Sequence, residues 1–85
     1  MLNADYSNQA KKFLKQSDKI TAKRILDEIE KLCMNPFPKD VKRVEGYAEK
    51  VFRVRIGDYR ILYEVDHDSS LLGIVKIDKR GRVYE

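Results

Sequence analysis

The sequence predicts an α+β fold in which an N-terminal helical hairpin packs on one face of a small antiparallel β-sheet. Three observations predict it. Apolar residues recur at helical spacing through the first third of the chain. After Lys50 the spacing drops to alternate positions in runs rich in β-branched and aromatic residues. Gly57-Asp58 then sits between two such runs as a two-residue hairpin turn, glycine first.

Taken in order, Met1 to Tyr6 is a possible N-terminal edge strand, although Asn3 and Asp5 suit a strand poorly. A short helix runs from Ser7, a good N-cap, to Gln16 and presents Ala10, Phe13 and Leu14 on one side. Ser17 or Asp18 restarts the pattern. Ala22, Ile25, Leu26, Ile29, Leu32 and Cys33 fall on one face of a longer helix that Asn35-Pro36 stops. Its other face mixes signs, with Lys23, Asp27 and Lys31 at four-residue steps, and reads as solvated. Pro38, Asp40 and Gly46 punctuate an irregular connection up to Lys50, with a short extended piece from Val41 to Val44. Val51 to Ile56, Tyr59 to Val65 and Leu71 to Ile77 form a three-stranded antiparallel meander, its second turn built from Asp66 to Ser70.

Size and composition narrow the function classes. Eighty-five residues suit one domain, spanning residues 1–85, whose core is thin because a chain this short buries only about 60% of its unfolded surface. No apolar run reaches spanning length and the start lacks the pattern of a signal peptide, so the expectation is a cytoplasmic protein with no membrane partner. A single cysteine, Cys33, forbids an internal disulfide or a cysteine-cluster metal site, and its place in an apolar stripe suits a buried hydrophobe. With His67 the only histidine, a two-histidine acid/base pair cannot be built, and its Asp/Ser-rich context is a turn. No metal or cofactor is expected. The net charge of +4 is mild and evenly spread, so the placement of the arginines matters more than the total.

The Gly57-Asp58 turn sets that placement. It pairs Ile56 with Tyr59, Arg55 with Arg60, Val54 with Ile61, Arg53 with Leu62 and Phe52 with Tyr63. Alternation then puts Phe52, Val54, Ile56, Tyr59, Ile61 and Tyr63 on a core face and Arg53, Arg55 and Arg60 on the other, where Glu64 is the one acid of the hairpin. Facing like charges cost a few tenths to about 1 kcal/mol. Long arginines can simply blunt an exposed sheet face, but an arginine pair retained against that cost suggests a site for a polyanion. Phosphate suits it because guanidinium forks match phosphate oxygens. The ending Lys79-Arg80-Gly81-Arg82-Val83-Tyr84 adds cations and one aromatic ring, a combination that suits RNA, although basic termini are common.

The run from Phe52 to Val65 resembles the central hairpin of the RelE/ParE toxins, in which an alternating aromatic, basic and apolar strand leads through a tight turn into a Tyr-Arg strand. The ending from Lys79 to Tyr84 and the early helical hairpin are similar to that family too, and the arginine-rich tail with its tyrosine favours the RelE branch of archaeal type. The resemblance implies a toxin of a type II toxin–antitoxin system that enters the ribosome and cleaves messenger RNA in the A site. It would do so by 2′-hydroxyl attack without a metal, leaving a cyclic phosphate and a 5′-hydroxyl. Carried over by position, Arg53 and Arg55 match the paired basic residues of the strand and Arg60 the arginine after the turn. Arg80 matches the residue that helps the leaving group, and Tyr84 the tail tyrosine that stacks on a base or assists proton transfer. Lys50, Lys76, Lys79 and Arg82 are flanking RNA-binding candidates.

Relatives often carry lysines where this chain has Arg53 and Arg55. Arginine does not give up its proton, so Arg53, Arg55, Arg60 and Arg80 are expected to neutralise charge on the phosphate, while Tyr84 or Lys79 moves protons. The family also implies a RelB-like antitoxin in a tight complex, for which Leu62, Leu72 and Ile74, apolar residues left over from the core, are docking candidates. The chain stops one residue after Tyr84, so inhibition is expected to cover the arginines or move the tail rather than displace a further helix. Two other readings remain: a ParE-like toxin that poisons DNA gyrase without nuclease activity, which Arg80 and Tyr84 argue against, and a non-catalytic RNA-binding module.

Overall fold

The Gly57-Asp58 turn organises the sheet as its sequence requires. In the computed structural model, which describes residues 1–79, Gly57 has a φ of 57° and Asp58 stays at negative φ. That combination belongs to a type II′ turn and not to type I′, which needs positive φ at both central residues. The flanking strands β3 (Val51–Ile56) and β4 (Tyr59–Asp66) pair in the expected register, from Ile56 opposite Tyr59 to Phe52 opposite Tyr63.

Two further strands, at the segments expected as an edge strand and as a short extended piece, widen the three-stranded meander to five. The full chain order is β1 (Asn3–Tyr6), α1 (Asn8–Gln16), α2 (Lys19–Met34), β2 (Lys42–Val44), β3, β4 and β5 (Leu71–Lys79). In space the strands run β1-β5-β4-β3-β2. The possible edge strand at the N-terminus is real, and it pairs parallel with β5, Asn3 to Tyr6 against Leu71 to Ile74. The connection back to β3 contributes β2, antiparallel on the opposite edge.

The helices begin where their caps are written. The Ser7 hydroxyl accepts from the Ala10 amide, and the Asp18 carboxylate accepts from Thr21. Ser17 closes α1 by donating to the Phe13 carbonyl at 2.7 Å, leaving two residues between the helices. Their shared apolar side covers one face of the sheet: Ala10, Ile25, Ile29, Leu32 and Cys33 bury against Val54, Ile61, Tyr63, Leu72, Ile74 and Ile77. One residue departs from the expected stripe. Leu26 lies at the margin of the covered arc and is 43% exposed.

A bulge in β5 corrects the assignment of leftover apolar residues. Leu62 pairs with Lys76 but Tyr63 pairs with Ile74, so Val75 is an extra residue. Past such a bulge the alternation inverts. Ile77, Ile74 and Leu72 therefore all point into the core, Leu72 and Ile74 at 0% and 1% exposure, and neither is available for docking a partner. Leu62 is also buried, although it lies on the opposite face, where its ladder neighbours are Arg53 and Lys76.

Side chains of α1 complete the edge of β5 that β1 is too short to reach. Gln9 brackets Ile77, donating from Nε2 to its carbonyl at 2.7 Å and accepting from its amide at 2.9 Å. Ser7 donates to the Val75 carbonyl at 2.8 Å. Peptide groups at the bulge that would otherwise face solvent as an open edge are thereby paired.

Candidate phosphate-binding face of the sheet

The face of the sheet away from the helices carries charge in rows that run across the strands. Lys42, Arg53, Leu62 and Lys76 form one row through β2, β3, β4 and β5. Arg55, Arg60 and Asp78 form the next through β3, β4 and β5. The structure thus brings Arg53, Arg55, Arg60 and Lys76 together on one surface. Lys79 ends β5 opposite Tyr59, so alternation sets it on the helix side of the sheet and not on the arginine face that carries the Arg60–Asp78 pair. Arg80, Arg82 and Tyr84 lie outside the described residues.

Asp78 changes the meaning of the arginine pair, because Glu64 is not the only acid within reach of the hairpin. Arg60 donates from Nε to Asp78 Oδ1 and from Nη2 to Asp78 Oδ2, both at 3.0 Å, a fork-on-carboxylate pairing with side chains only 15% and 19% exposed. Lys76 Nζ adds a longer contact of 3.8 Å to the same carboxylate. The Arg55–Arg60 repulsion is therefore offset on the β5 side. The bulge at Val75 makes this possible, since it is followed by Lys76 and Asp78 on the arginine face with Ile77 turned inward. The hairpin pattern alone holds no sign of Asp78.

The other end of the same face is acidic. Asp5, Gly73 and Glu64 form a row across β1, β5 and β4. The Glu64 side chain lies over Gly73, so close that a Cβ there would sit 3.1 Å from its Cγ. Lys50 belongs to this end. It borders a cleft of about 630 Å3 whose charged lining includes Glu49, Glu64, Asp66 and Asp68, apart from the arginines. His67 sits in the same turn, exposed, its ring 6.4 Å from that of Phe37. Asp66 accepts from the Ser69 and Asp68 amides, and the Ser69 bonds above all hold its carboxyl below the usual range.

The wall of the basic end is pinned to the core. The Tyr63 hydroxyl, fully buried, donates to the Pro36 carbonyl, while Phe37 packs edge-on against Phe52 with ring centroids 5.0 Å apart. Val41 also packs against the core. Burial, reinforced by the charges of Asp40 and Glu28, pushes the Tyr63 hydroxyl well above its ordinary value, so it stays a donor. These anchors set Asp40 and Lys42 beside Arg53 and Arg55, around a cleft of about 170 Å3. Neither Asp40 nor Lys42 was picked out by the sequence pattern, because β2 is three residues long and its register is visible only in the sheet.

Cys33 has no part in this surface. It is buried, and burial followed by the charge of Glu30 pushes its thiol up, which favours the inert protonated form. Among the described residues no group of three or more His, Cys, Asp or Glu side chains is arranged to hold a metal ion, and no helix is long and apolar enough to cross a membrane.

The comparisons with known proteins agree with this architecture. The family model for the ParE toxin of the type II toxin–antitoxin system parDE matches residues 4–84. A toxin of Methanocaldococcus jannaschii named RelE1 is 36% identical over 98% of this chain and 94% of its own length. Among solved structures, the archaeal RelE–RelB complex from Pyrococcus horikoshii superposes with a TM-score of 0.80 at 29% identity, covering 95% of this chain and 97% of that one. The RelB–RelE complex from Methanococcus jannaschii gives 0.67 at 26% identity, with 94% of each chain covered. The intact Escherichia coli RelBE complex gives 0.81 at 14% identity, covering 96% of this chain and 100% of that one, a likeness of fold alone.

Proposed function

The chain belongs to the RelE/ParE superfamily of type II toxin–antitoxin toxins, as a RelE-type member, and on that premise we propose that it is an endoribonuclease that cuts messenger RNA in the ribosomal A site. The observation that carries the reading is the single basic surface on which Arg53, Arg55, Arg60 and Lys76 meet, away from the helices. A phosphate laid on it is approached by guanidinium groups fixed on strands, which stabilise the charge that develops in the transition state without reorganising.

In this mechanism the ribose 2′-oxygen forms a bond to phosphorus as the bond to the 5′-oxygen breaks. The products are a 2′,3′-cyclic phosphate and a 5′-hydroxyl, and no metal takes part. Arg53 and Arg55 contact the phosphate oxygens, and Arg60, oriented by Asp78, lies beside them. Arg80 and Tyr84 serve the leaving oxygen and the stacked base, with Arg82 and Lys76 as flanking contacts, whereas Lys79 on the helix side of β5 and Lys50 at the acidic end stand apart from this path. Alignment by the ribosome supplies a large part of the acceleration. The partner that restrains the activity is a RelB-like antitoxin, as in the complexes of the relatives.

The test is to add the protein to a translation reaction and map new RNA ends with and without ribosomes. Codon-phased 5′-hydroxyl ends are expected only with ribosomes, and Arg53→Ala, Arg80→Ala and Tyr84→Phe are each expected to reduce them at least tenfold (about 1.4 kcal/mol of barrier). Unchanged cleavage in all three variants, or gyrase-dependent DNA breaks in place of RNA ends, would overturn the reading.

A further inference from the structure

The sheet carries two like-charge pairs at facing positions, and only one of them is relieved. Arg55 and Arg60 have Asp78 beside them. Lys42 and Arg53 face each other across β2 and β3, and among the described residues neither enters an ion pair. Asp40, the carboxylate among the described residues that line the 170 Å3 cleft, stands at its wall without closing on either cation. A facing cation pair left uncompensated beside an open cleft is a strained arrangement that an anion relieves. The cleft is also preformed, because Tyr63, Phe37 and Val41 tie the segment leading into β2 to the core.

We propose that the cleft between β2 and β3 is a second phosphate subsite, in which Lys42 holds the backbone phosphate of RNA next to the one that meets Arg53, Arg55 and Arg60, with Arg53 shared between the two. The proposal rests on the RNA-cleaving reading of this face and extends it in one direction. The strand crosses the sheet towards the β2 edge, along the row of Lys76, Arg53 and Lys42. The acidic row of Asp5 and Glu64 repels it from the other end. Lys42 acts as a point charge on a non-reacting phosphate, so it contributes to binding and not to the chemical step. Asp40 opposes that phosphate and weakens the subsite.

Two probes separate this proposal from the reading beneath it: a fluorescent RNA oligonucleotide with 2′-O-methyl riboses, which binds but cannot be cut, and ribosome-bound messenger. Lys42→Ala is expected to weaken oligonucleotide binding about tenfold, the size of one lost charged hydrogen bond. It should also flatten the dependence of log K on log salt by about 0.7, the value for one single-strand phosphate contact. On ribosomes the same variant raises KM and leaves kcat within about twofold. Lys42→Arg restores both, and Asp40→Asn moves binding the other way.

Equal affinity and equal salt slope for wild type and Lys42→Ala would overturn the subsite. So would a fall in kcat at constant KM, which would make Lys42 part of the chemistry. An effect on antitoxin affinity with none on RNA would assign the cleft to the protein partner and likewise overturn it. If the oligonucleotide responds as expected but wild type cuts no ribosome-bound messenger, the subsite stands and the nuclease reading fails. Lys42 is exposed on an edge strand, so each variant is expected to keep the wild-type unfolding transition.

Discussion

Asp78→Asn is the substitution that separates holding an arginine from using one. The Arg60–Asp78 pair makes two hydrogen bonds of 3.0 Å between side chains that are 15% and 19% exposed. A fully exposed pair contributes about 0–1 kcal/mol and breaking a fully buried one costs about 3–5 kcal/mol, so this pair falls between them, near 2 kcal/mol. Losing the carboxylate also removes what offsets the facing Arg55 and Arg60 charges on the β5 side, which adds up to about 1 kcal/mol. In a chain of this size about 2 kcal/mol lowers Tm by roughly 10 °C. The assay is a double-mutant cycle by thermal or urea unfolding with Asp78→Asn, Arg60→Met and the double variant, for which a coupling of about 2 kcal/mol is expected. Coupling under about 0.5 kcal/mol would show that the pair behaves as a surface contact and refute the argument. The functional arm has its own sign. Asp78→Asn makes the basic face more positive, so RNA binding holds or tightens, while kcat falls because Arg60 is no longer oriented. A variant that binds more tightly and cuts as fast as wild type would mean that Arg60 needs no such support.

Three other outcomes follow from single contacts. Gln9→Ala removes both bonds to Ile77 and is expected to cost about 1–2 kcal/mol, with the Ile77 amide exchanging about tenfold faster; unchanged exchange would show the edge needs no cover. Tyr63→Phe loses the bond to the Pro36 carbonyl, about 1 kcal/mol near neutrality. The folded protein keeps the Tyr63 proton that the unfolded chain loses above its ordinary value of 10.0, so wild-type stability falls as pH rises past that point, by up to about 1.4 kcal/mol per pH unit. Urea midpoints on either side of it should therefore bring wild type and Tyr63→Phe closer together at the alkaline end, and a constant gap would contradict this. Gly57→Ala is expected to lower stability by about 1–2 kcal/mol because of the φ of 57°, since the atom its Cβ would meet, Arg24 Nη2 at 2.7 Å, is the end of a flexible chain that can move; an unaltered Tm would refute the backbone argument.

What the sequence displays follows the range of the interaction that decides it. The β3–β4 register was legible down to the facing residues because a two-residue turn determines it locally, and the helix starts were legible because Ser7 and Asp18 cap amides three residues on. The inward turn of Leu72 and Ile74 was not, since it depends on a bulge whose meaning appears only when β5 lies against β4. Nor was the partner of the first strand, because β1 pairs with residues some 68 positions away, as do the Gln9 and Ser7 bonds that cover β5. The same distinction governs the candidate site. A hairpin shows Arg53, Arg55 and Arg60 but neither strand beside it, and those strands supply Asp78 on one side and Lys42 on the other. Their arrival reverses the expected ranking. The facing arginines, which look like the strongest sign of a polyanion site, are the pair already compensated, whereas Arg53 is the arginine whose facing cation enters no ion pair among the described residues. A phosphate approaching this face gains most where no carboxylate has to be displaced, on the row of Lys42, Arg53 and Lys76, and from there the strand reaches Arg55 and Arg60 one row along.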